Sequence, residues 1–96
     1  MGRYSIHLKP DAVLDLDRMR KYDMTKVLDG VEKYLQSEPK KVSRLRIKKL
    51  RGKLAAEYRL RIDEWRIFYR IVEDEVEVIR IFHKDETKQF YEEEIQ

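Results

Sequence analysis

The sequence predicts an α+β domain in which a strand and an αα-hairpin precede a three-stranded antiparallel meander. Two observations carry this prediction. Apolar residues recur at helical spacing between residues 12 and 35, and they alternate with polar residues in three segments between residues 58 and 82. A chain of 96 residues suits one hydrophobic core, so residues 1–96 are predicted to form a single domain.

The first half of the chain predicts one strand and two helices. Tyr4, Ile6 and Leu8 alternate with polar residues, as in a half-buried strand. Pro10 then suits the first turn of a helix, because the missing N–H has no helical partner there. This helix is predicted to end near Lys21, and its apolar stripe is Ala12, Val13, Leu16 and Met19. The second helix has Asp23 as its N-cap and ends before Ser37-Glu38-Pro39; its stripe is Met24, Val27, Leu28, Val31 and Leu35. Within it, Gly30 suggests close packing.

The second half predicts strands over residues 58–62, 65–72 and 75–82. Residues 40–53 are expected to form either an irregular basic segment or one helical turn. The two turns, Asp63-Glu64 and Glu73-Asp74, lack the Asn-Gly or Asp-Gly that two-residue hairpins favour, so a longer loop or a bulge could shift either register. Asp85 is predicted to cap a short C-terminal helix that carries Phe90 and Tyr91.

Composition excludes several classes of protein. The chain has no cysteine and no apolar run of about 18 residues, which excludes disulfides, thiolate metal sites and a membrane span. Residues 1–7 lack the apolar stretch of a signal peptide, and a cytoplasmic location is expected. Residues 40–61 hold ten basic residues and one acid, which indicates a polyanionic or acidic partner.

Pairing outward from the Asp63-Glu64 turn predicts two distinct faces of the sheet. Side chains directly opposite each other share a face, so Arg61 lies beside Arg66. One face is apolar: Tyr58, Leu60, Ile62, Trp65, Ile67, Tyr69 and Ile71. The other carries Glu57, Arg59, Arg61, Arg66, Phe68 and Arg70. Adjacent arginines destabilise a sheet unless an anion binds them, although Glu57, Glu75 or Glu77 could instead neutralise them, with Glu77 pairing to Arg70.

The order of elements resembles the RelE/ParE superfamily of type II toxin–antitoxin toxins. So do the runs at residues 47–52, 58–62, 65–71 and 79–85, followed by Tyr91. In that superfamily, RelE-like members cut messenger RNA in the ribosomal A site, and ParE-like members poison DNA gyrase. The resemblance implies a toxin that a separate antitoxin neutralises, with no metal and no other cofactor.

The resemblance also implies catalytic positions. Arg59 and Arg61 take the places of two lysines, Arg66 that of an arginine, and Tyr91 that of a tyrosine that stacks on a base. Arginine binds phosphate but is a poor general base, and Asp85 takes the place of the arginine expected as general acid. His83 is therefore the candidate for proton transfer. Further basic residues are expected to bind RNA: Lys48, Lys49, Arg51, Lys53, Arg70, Lys84 and Lys88.

Three functions remain open at this point. The first is a RelE-like, ribosome-dependent mRNA endonuclease that inhibits translation. The second is a ParE-like toxin that binds DNA gyrase, which the weakened acid–base set favours. The third is a degenerate member that binds its antitoxin alone. All three predict the same partner, a cognate antitoxin.

Overall fold

A mixed sheet with two α-helices on one face makes up the part of the chain that the computed structural model describes, residues 3–51 and 55–87. The helices are α1 (Pro10–Asp17) and α2 (Lys21–Leu35). The strands are β1 (Ser5–Leu8), β2 (Ile47–Lys49), β3 (Tyr58–Ile62), β4 (Trp65–Val72) and β5 (Glu75–His83), and a short 3₁₀ helix follows at Lys84–Glu86.

The five strands lie in the order β1-β5-β4-β3-β2. The antiparallel meander β3-β4-β5 is confirmed, and its α+β class with it. The first strand, β1, runs parallel to β5, with Ile6 opposite Val76. The connection between these two parallel strands contains both helices and the strands β2, β3 and β4, since a parallel pair cannot be joined by a tight turn.

Both helices differ slightly from the predicted boundaries. The first ends at Asp17 rather than near Lys21, where the Arg18 N–H donates to the carbonyl of Leu16. The second begins at Lys21, with Arg20 in extended conformation as its N-cap, so the prediction of Asp23 as N-cap is wrong. Asp23 instead lies in the first turn, where a carboxylate favours the positive end of the helix dipole.

The basic segment contains a strand that the sequence did not predict. Ile47–Lys49 forms β2 and pairs with β3, with Ile47 opposite Leu60. The Ser43 hydroxyl accepts hydrogen bonds from the Arg46 N–H at 3.1 Å and the Ile47 N–H at 3.3 Å, which turns the chain into the strand. Ile47 is buried in the core and three residues pair with β3, so this part of residues 40–53 is a strand and neither irregular nor a helical turn.

The core lies between the helices and the sheet, and we call that side of the sheet the helix face. Its buried members are Ala12, Leu16, Val27, Val31, Leu35, Ile47, Leu60, Ile62, Ile67, Tyr69, Val76, Val78 and Ile81. The predicted close packing at Gly30 is confirmed. A Cβ atom placed there would lie 2.7 Å from Cγ1 of Ile62, so the missing side chain lets α2 approach β3.

Both turns of the meander contain two residues, and neither shifts the register next to it. Ile62 lies opposite Trp65, and Val72 lies opposite Glu75. The first residue of each turn has a left-handed backbone, with φ of 52° at Asp63 and 58° at Glu73. Two-residue hairpin turns need a positive φ, which glycine usually provides. Here Asp63 and Glu73 adopt it instead.

The irregularity lies within β5, where a bulge inserts Ile79. Phe68 pairs with Arg80, whereas Tyr69 pairs with Val78. A bulge changes which face the following side chains occupy. Val76 and Val78 therefore point to the helix face before the bulge, and Ile81 does so after it. The bulge decides which residues of β5 accompany the arginines.

The 3₁₀ helix at Lys84–Glu86 begins with His83 as its N-cap. The His83 ring nitrogen accepts a hydrogen bond from the Asp85 N–H, and the Glu86 carboxylate accepts one from the His83 N–H. Asp85 is thus a member of the short helix. The predicted helical residues Phe90 and Tyr91 lie outside the described residues.

Candidate anion-binding site

The predicted register between β3 and β4 is confirmed, and it gathers cations on the side of the sheet away from the helices, the open face. Arg61 lies opposite Arg66, and Arg59 lies opposite Phe68. On the other side of β3, Lys48 lies opposite Arg59. Because cross-strand partners share a face, four side chains form one group, which we call the cation strip: Lys48, Arg59, Arg61 and Arg66.

In the part of the chain that the structure describes, the three arginines of the strip form no ion pair. Among residues 3–51 and 55–87, no carboxylate lies within 4 Å of Arg59, Arg61 or Arg66. Within the same residues, Arg59 Nε is a buried side-chain nitrogen without a hydrogen-bond partner. A buried N–H donor without an acceptor costs about 1–3 kcal/mol. The strip therefore offers an anion positive charge that no carboxylate within 4 Å neutralises among the described residues.

Arg66 is held in place by the backbone of the neighbouring turn. Its Nη1 donates to the carbonyl oxygens of Asp63 at 2.9 Å and Trp65 at 3.0 Å. Burial lowers the pKa of Arg66, and the positive charges of Arg61 and Arg59 lower it further, against a smaller opposing effect of Glu64. The guanidinium nevertheless stays protonated. An anion on the strip would offset the smaller part of this shift, which comes from the charges of Arg61 and Arg59.

An apolar cluster lies beside the strip on the open face. Phe68 is fully buried there, and its ring meets that of Phe82 at 5.9 Å. Ala56 is buried with it, and Leu50, Ile79 and Phe82 pack around the pair. The open face is therefore only partly free, because an apolar cluster formed by β4, β5 and residues next to β2 and β3 borders its cations.

Arg70 lies on the open face, but unlike the arginines of the strip it is paired with a carboxylate. Its Nε donates to Glu77 Oε1 at 2.7 Å, and the two residues are cross-strand partners. The hydrogen bond from Arg70 lowers the pKa of Glu77, aided by the charges of Lys9 and His7. The predicted pairing of Glu77 with Arg70 is thus confirmed, and it accounts for one of the four arginines of the predicted face.

Arg80 also lies on this face, and the sequence prediction missed it. It is opposite Phe68, its guanidinium lies 4.4 Å from the Phe82 ring centre, and it donates to Asp15 at 2.9 and 3.2 Å. Asp15 also accepts the Ile81 N–H at 2.8 Å. The apolar pattern held a signal: it moves from Val76 and Val78 to Ile79 and Ile81, which is the phase change of a bulge.

His83 is not brought together with the cation strip. It is the cross-strand partner of Trp65 on the helix face, and the two rings meet edge to face at 5.4 Å. Its Nε2 lies 3.6 Å from Glu64, and Nδ1 caps the 3₁₀ helix. Lys84 also approaches Glu64, at 3.6 Å. A role of His83 in proton transfer stays a prediction without support from this arrangement.

The remaining predicted RNA-binding residues are dispersed. Lys49 is exposed but lies opposite Tyr58, on the other side of the strand from Lys48. Arg51 is exposed beyond the end of β2. Lys53, Lys88 and the predicted stacking residue Tyr91 lie outside the described residues.

None of the helices in residues 3–51 and 55–87 has the length and apolar character needed to cross a bilayer. In those residues, no three histidine or carboxylate side chains converge as metal ligands.

A helical hairpin on one face of a small mixed sheet, with cations on the opposite face, is the arrangement expected from the resemblance to the RelE/ParE superfamily. The family model for the ParE toxin of the type II toxin–antitoxin system parDE matches residues 6–87. The chain therefore belongs to that family and is a type II toxin. No curated protein matches the chain.

Solved structures share this fold. The toxin–antitoxin complex RelBE2 from Mycobacterium tuberculosis matches with 27% identity and a TM-score of 0.75, over 86% of this chain and 93% of that one. The RelE–RelB complex from Pyrococcus horikoshii OT3 matches with 20% identity and a TM-score of 0.68, over 88% of this chain and 97% of that one. The RelB–RelE complex from Methanococcus jannaschii matches with 19% identity and a TM-score of 0.67, over 88% of this chain and 98% of that one.

Proposed function

We propose that this toxin acts on RNA, as a RelE-like endonuclease that cleaves mRNA on the ribosome. The observation that carries the proposal is the cation strip, whose three arginines have no carboxylate within 4 Å among residues 3–51 and 55–87. Guanidinium groups bind phosphate through paired N–H donors. A rigid sheet that holds three guanidinium groups on one face suits the phosphate backbone of single-stranded RNA.

The strip supports one part of the cleavage chemistry directly. In the proposed reaction the RNA 2′-oxygen attacks the adjacent phosphorus, and the bond to the 5′-oxygen breaks. The products are a 2′,3′-cyclic phosphate and a 5′-hydroxyl, so one proton leaves the nucleophile and one reaches the leaving oxygen. Arg59, Arg61 and Arg66 would stabilise the negative charge that builds up on the phosphate oxygens.

Gyrase inhibition is the second candidate, and the position of His83 favours it. His83 lies on the helix face, while the strip consists of lysine and arginine. Arginine is not a general base at neutral pH. A toxin that inhibits gyrase by binding needs charge and shape but no proton transfer, so the same strip would serve it.

We also propose that a cognate antitoxin covers the cation strip with an acidic segment. Three of the matching solved structures are complexes of toxins with antitoxins, and the arginines of the strip suit carboxylates as well as phosphates. Replacing Arg59 and Arg61 with alanine should weaken the complex. If the antitoxin binds the double variant as tightly as the wild type, its segment lies elsewhere.

Induction in cells separates the two candidate functions. We expect the wild-type chain to arrest growth and to produce new mRNA ends within ribosome-protected regions, and the R59A/R61A variant to produce neither. The control is R20A/K21A, which removes two charges at the start of α2. Intact transcripts together with gyrase-dependent DNA breaks would instead identify gyrase inhibition as the function.

A further inference from the structure

The open face is electrostatically divided, and Glu77 marks the division. On β4, Arg66 has no carboxylate partner among the described residues, whereas Arg70 is bound to Glu77. Arg66 and Arg70 are four residues apart on one strand, so both point to the same side, about 13 Å apart. The buried Phe68 lies between them on that side, and without Glu77 the Arg70 guanidinium would add a cation to the open face beyond it.

The surroundings of Glu77 keep its carboxylate ionised. Arg70 lies at 2.7 Å, His7 is the cross-strand partner on β1, and Lys9 adds a further positive charge. An ionised carboxylate at this position does two things to an approaching polyanion. It occupies the Arg70 guanidinium, and it repels a phosphate from that end of the face.

We propose that Glu77 is a specificity-determining residue that ends the phosphate track, because it withholds Arg70 and confines single-stranded RNA to the cation strip. This inference rests on the proposed function of the strip in RNA binding. It assigns Glu77 a role apart from the reacting atoms: it sets how many phosphates the face contacts. Removing its charge should lengthen the track by one phosphate.

The expected result is a gain of binding, which damage to the fold would not produce. The probe is a fluorescein-labelled 2′-O-methyl RNA decamer, which cannot be cleaved because the attacking hydroxyl is blocked. With the full chain at pH 7.5 and low salt, E77Q should bind this probe about fivefold more tightly than the wild type. Its salt dependence should steepen by about 0.7 in log–log slope, the value for one additional phosphate on a single strand.

Two variants test whether the released Arg70 is the cause. Glu75 lies on the same strand and face as Glu77, opposite Val72, so E75Q removes an equal charge without releasing an arginine, and its slope should stay at the wild-type value. The gain of E77Q should disappear in R70A/E77Q. An equal gain in E75Q, or a gain that survives in R70A/E77Q, would overturn the inference.

The same assay keeps the two proposals apart. R59A should weaken binding of the decamer, and if it does not, the strip does not bind RNA and the proposed function fails. If R59A weakens binding while E77Q leaves affinity and slope unchanged, the strip binds RNA and only the role of Glu77 is refuted.

Discussion

Tyr69 shows how burial sets the chemistry of a single side chain. It is completely buried on the helix face, its ring stacks on Tyr58 at 5.4 Å, and its hydroxyl donates to the Pro39 carbonyl at 2.6 Å. Burial raises the pKa of Tyr69 well above its ordinary value, with a smaller contribution from Tyr58. The hydrogen bond ties the loop after α2 to the centre of the sheet.

This pKa predicts a loss of stability at alkaline pH. In the unfolded chain Tyr69 ionises near pH 10, whereas the folded chain keeps its proton. The free energy of unfolding should therefore fall above pH 10, by up to about 1.4 kcal/mol per pH unit for this group. Tyr69→Phe should remove that part of the slope and cost about 1 kcal/mol at neutral pH for the lost hydrogen bond.

Urea unfolding between pH 7 and 11 provides the measurement. The exposed Tyr22 supplies the control, since Tyr22→Phe removes a hydroxyl from the surface rather than from the core. A Tyr69→Phe variant whose stability declines above pH 10 as steeply as that of the wild type would contradict the prediction.

At the scale of elements, Gly30 controls how closely α2 packs against β3. Gly30→Ala should destabilise the protein by about 1 kcal/mol, because overpacking against Ile62 costs about 1–3 kcal/mol and the better helix propensity of alanine returns less than that. Thermal and urea unfolding measure the change. Asp29→Ala, at the exposed neighbouring position of the same helix, should be neutral or stabilising.

The contact with Ile62 can be tested separately. In an Ile62→Ala background the space beside residue 30 is open, so Gly30→Ala should there raise stability through helix propensity alone. The same loss in both backgrounds would show that the cost has another origin than the contact with β3.

The second turn of the meander carries local strain. Glu73 has φ of 58°, a left-handed conformation that costs a residue of this kind about 1 kcal/mol and that asparagine tolerates better. Glu73→Asn should therefore raise the free energy of unfolding by about 0.5 kcal/mol. Asp74→Asn removes the same charge from the next residue and should not; equal effects would assign the gain to charge rather than to backbone conformation.

The pairing of Arg61 with Arg66 could be predicted from the alternation of apolar and polar residues and from the position of the hairpin turn. Both features depend only on residues close together in the chain. His83 could not be placed in the same way. An unbroken ladder outward from Glu73-Asp74 would have put it on the open face, and the extra residue Ile79 puts it beside Trp65 instead. The ion pair of Arg80 with Asp15 joins residues 65 positions apart, which local spacing does not reveal.

At the scale of the whole molecule, apolar burial and anion binding are divided between the two faces of one sheet. The helix face buries the main core against α1 and α2, and the open face holds cations that repel each other. The free energy gained by burying apolar side chains on the helix face outweighs the repulsion between cations on the open face. The toxin should therefore gain stability when the cation strip is dismantled and lose its activity at the same time.

Arg61 is the residue that tests this opposition, since its side chain faces Arg66 across the ladder. Arg61→Gln should raise the free energy of unfolding by about 0.2–1 kcal/mol at low salt, because like charges directly opposite in a sheet are destabilising. About 1 M salt should largely abolish the difference by screening. Arg66→Gln is a poorer choice, since it would also break two hydrogen bonds to the turn.

The matched control is Arg44→Gln, which removes the same charge from the exposed loop before β2. Urea unfolding of both variants gives the stability, and growth arrest on induction gives the activity. Arg61→Gln should be the more stable and the less toxic of the two, because repulsion between Arg61 and Arg66 is what an anion on the strip would neutralise. An Arg61→Gln variant that is no more stable than Arg44→Gln would mean that the strip is already relaxed without an anion, and the uncompensated charge would then no longer support a phosphate ligand.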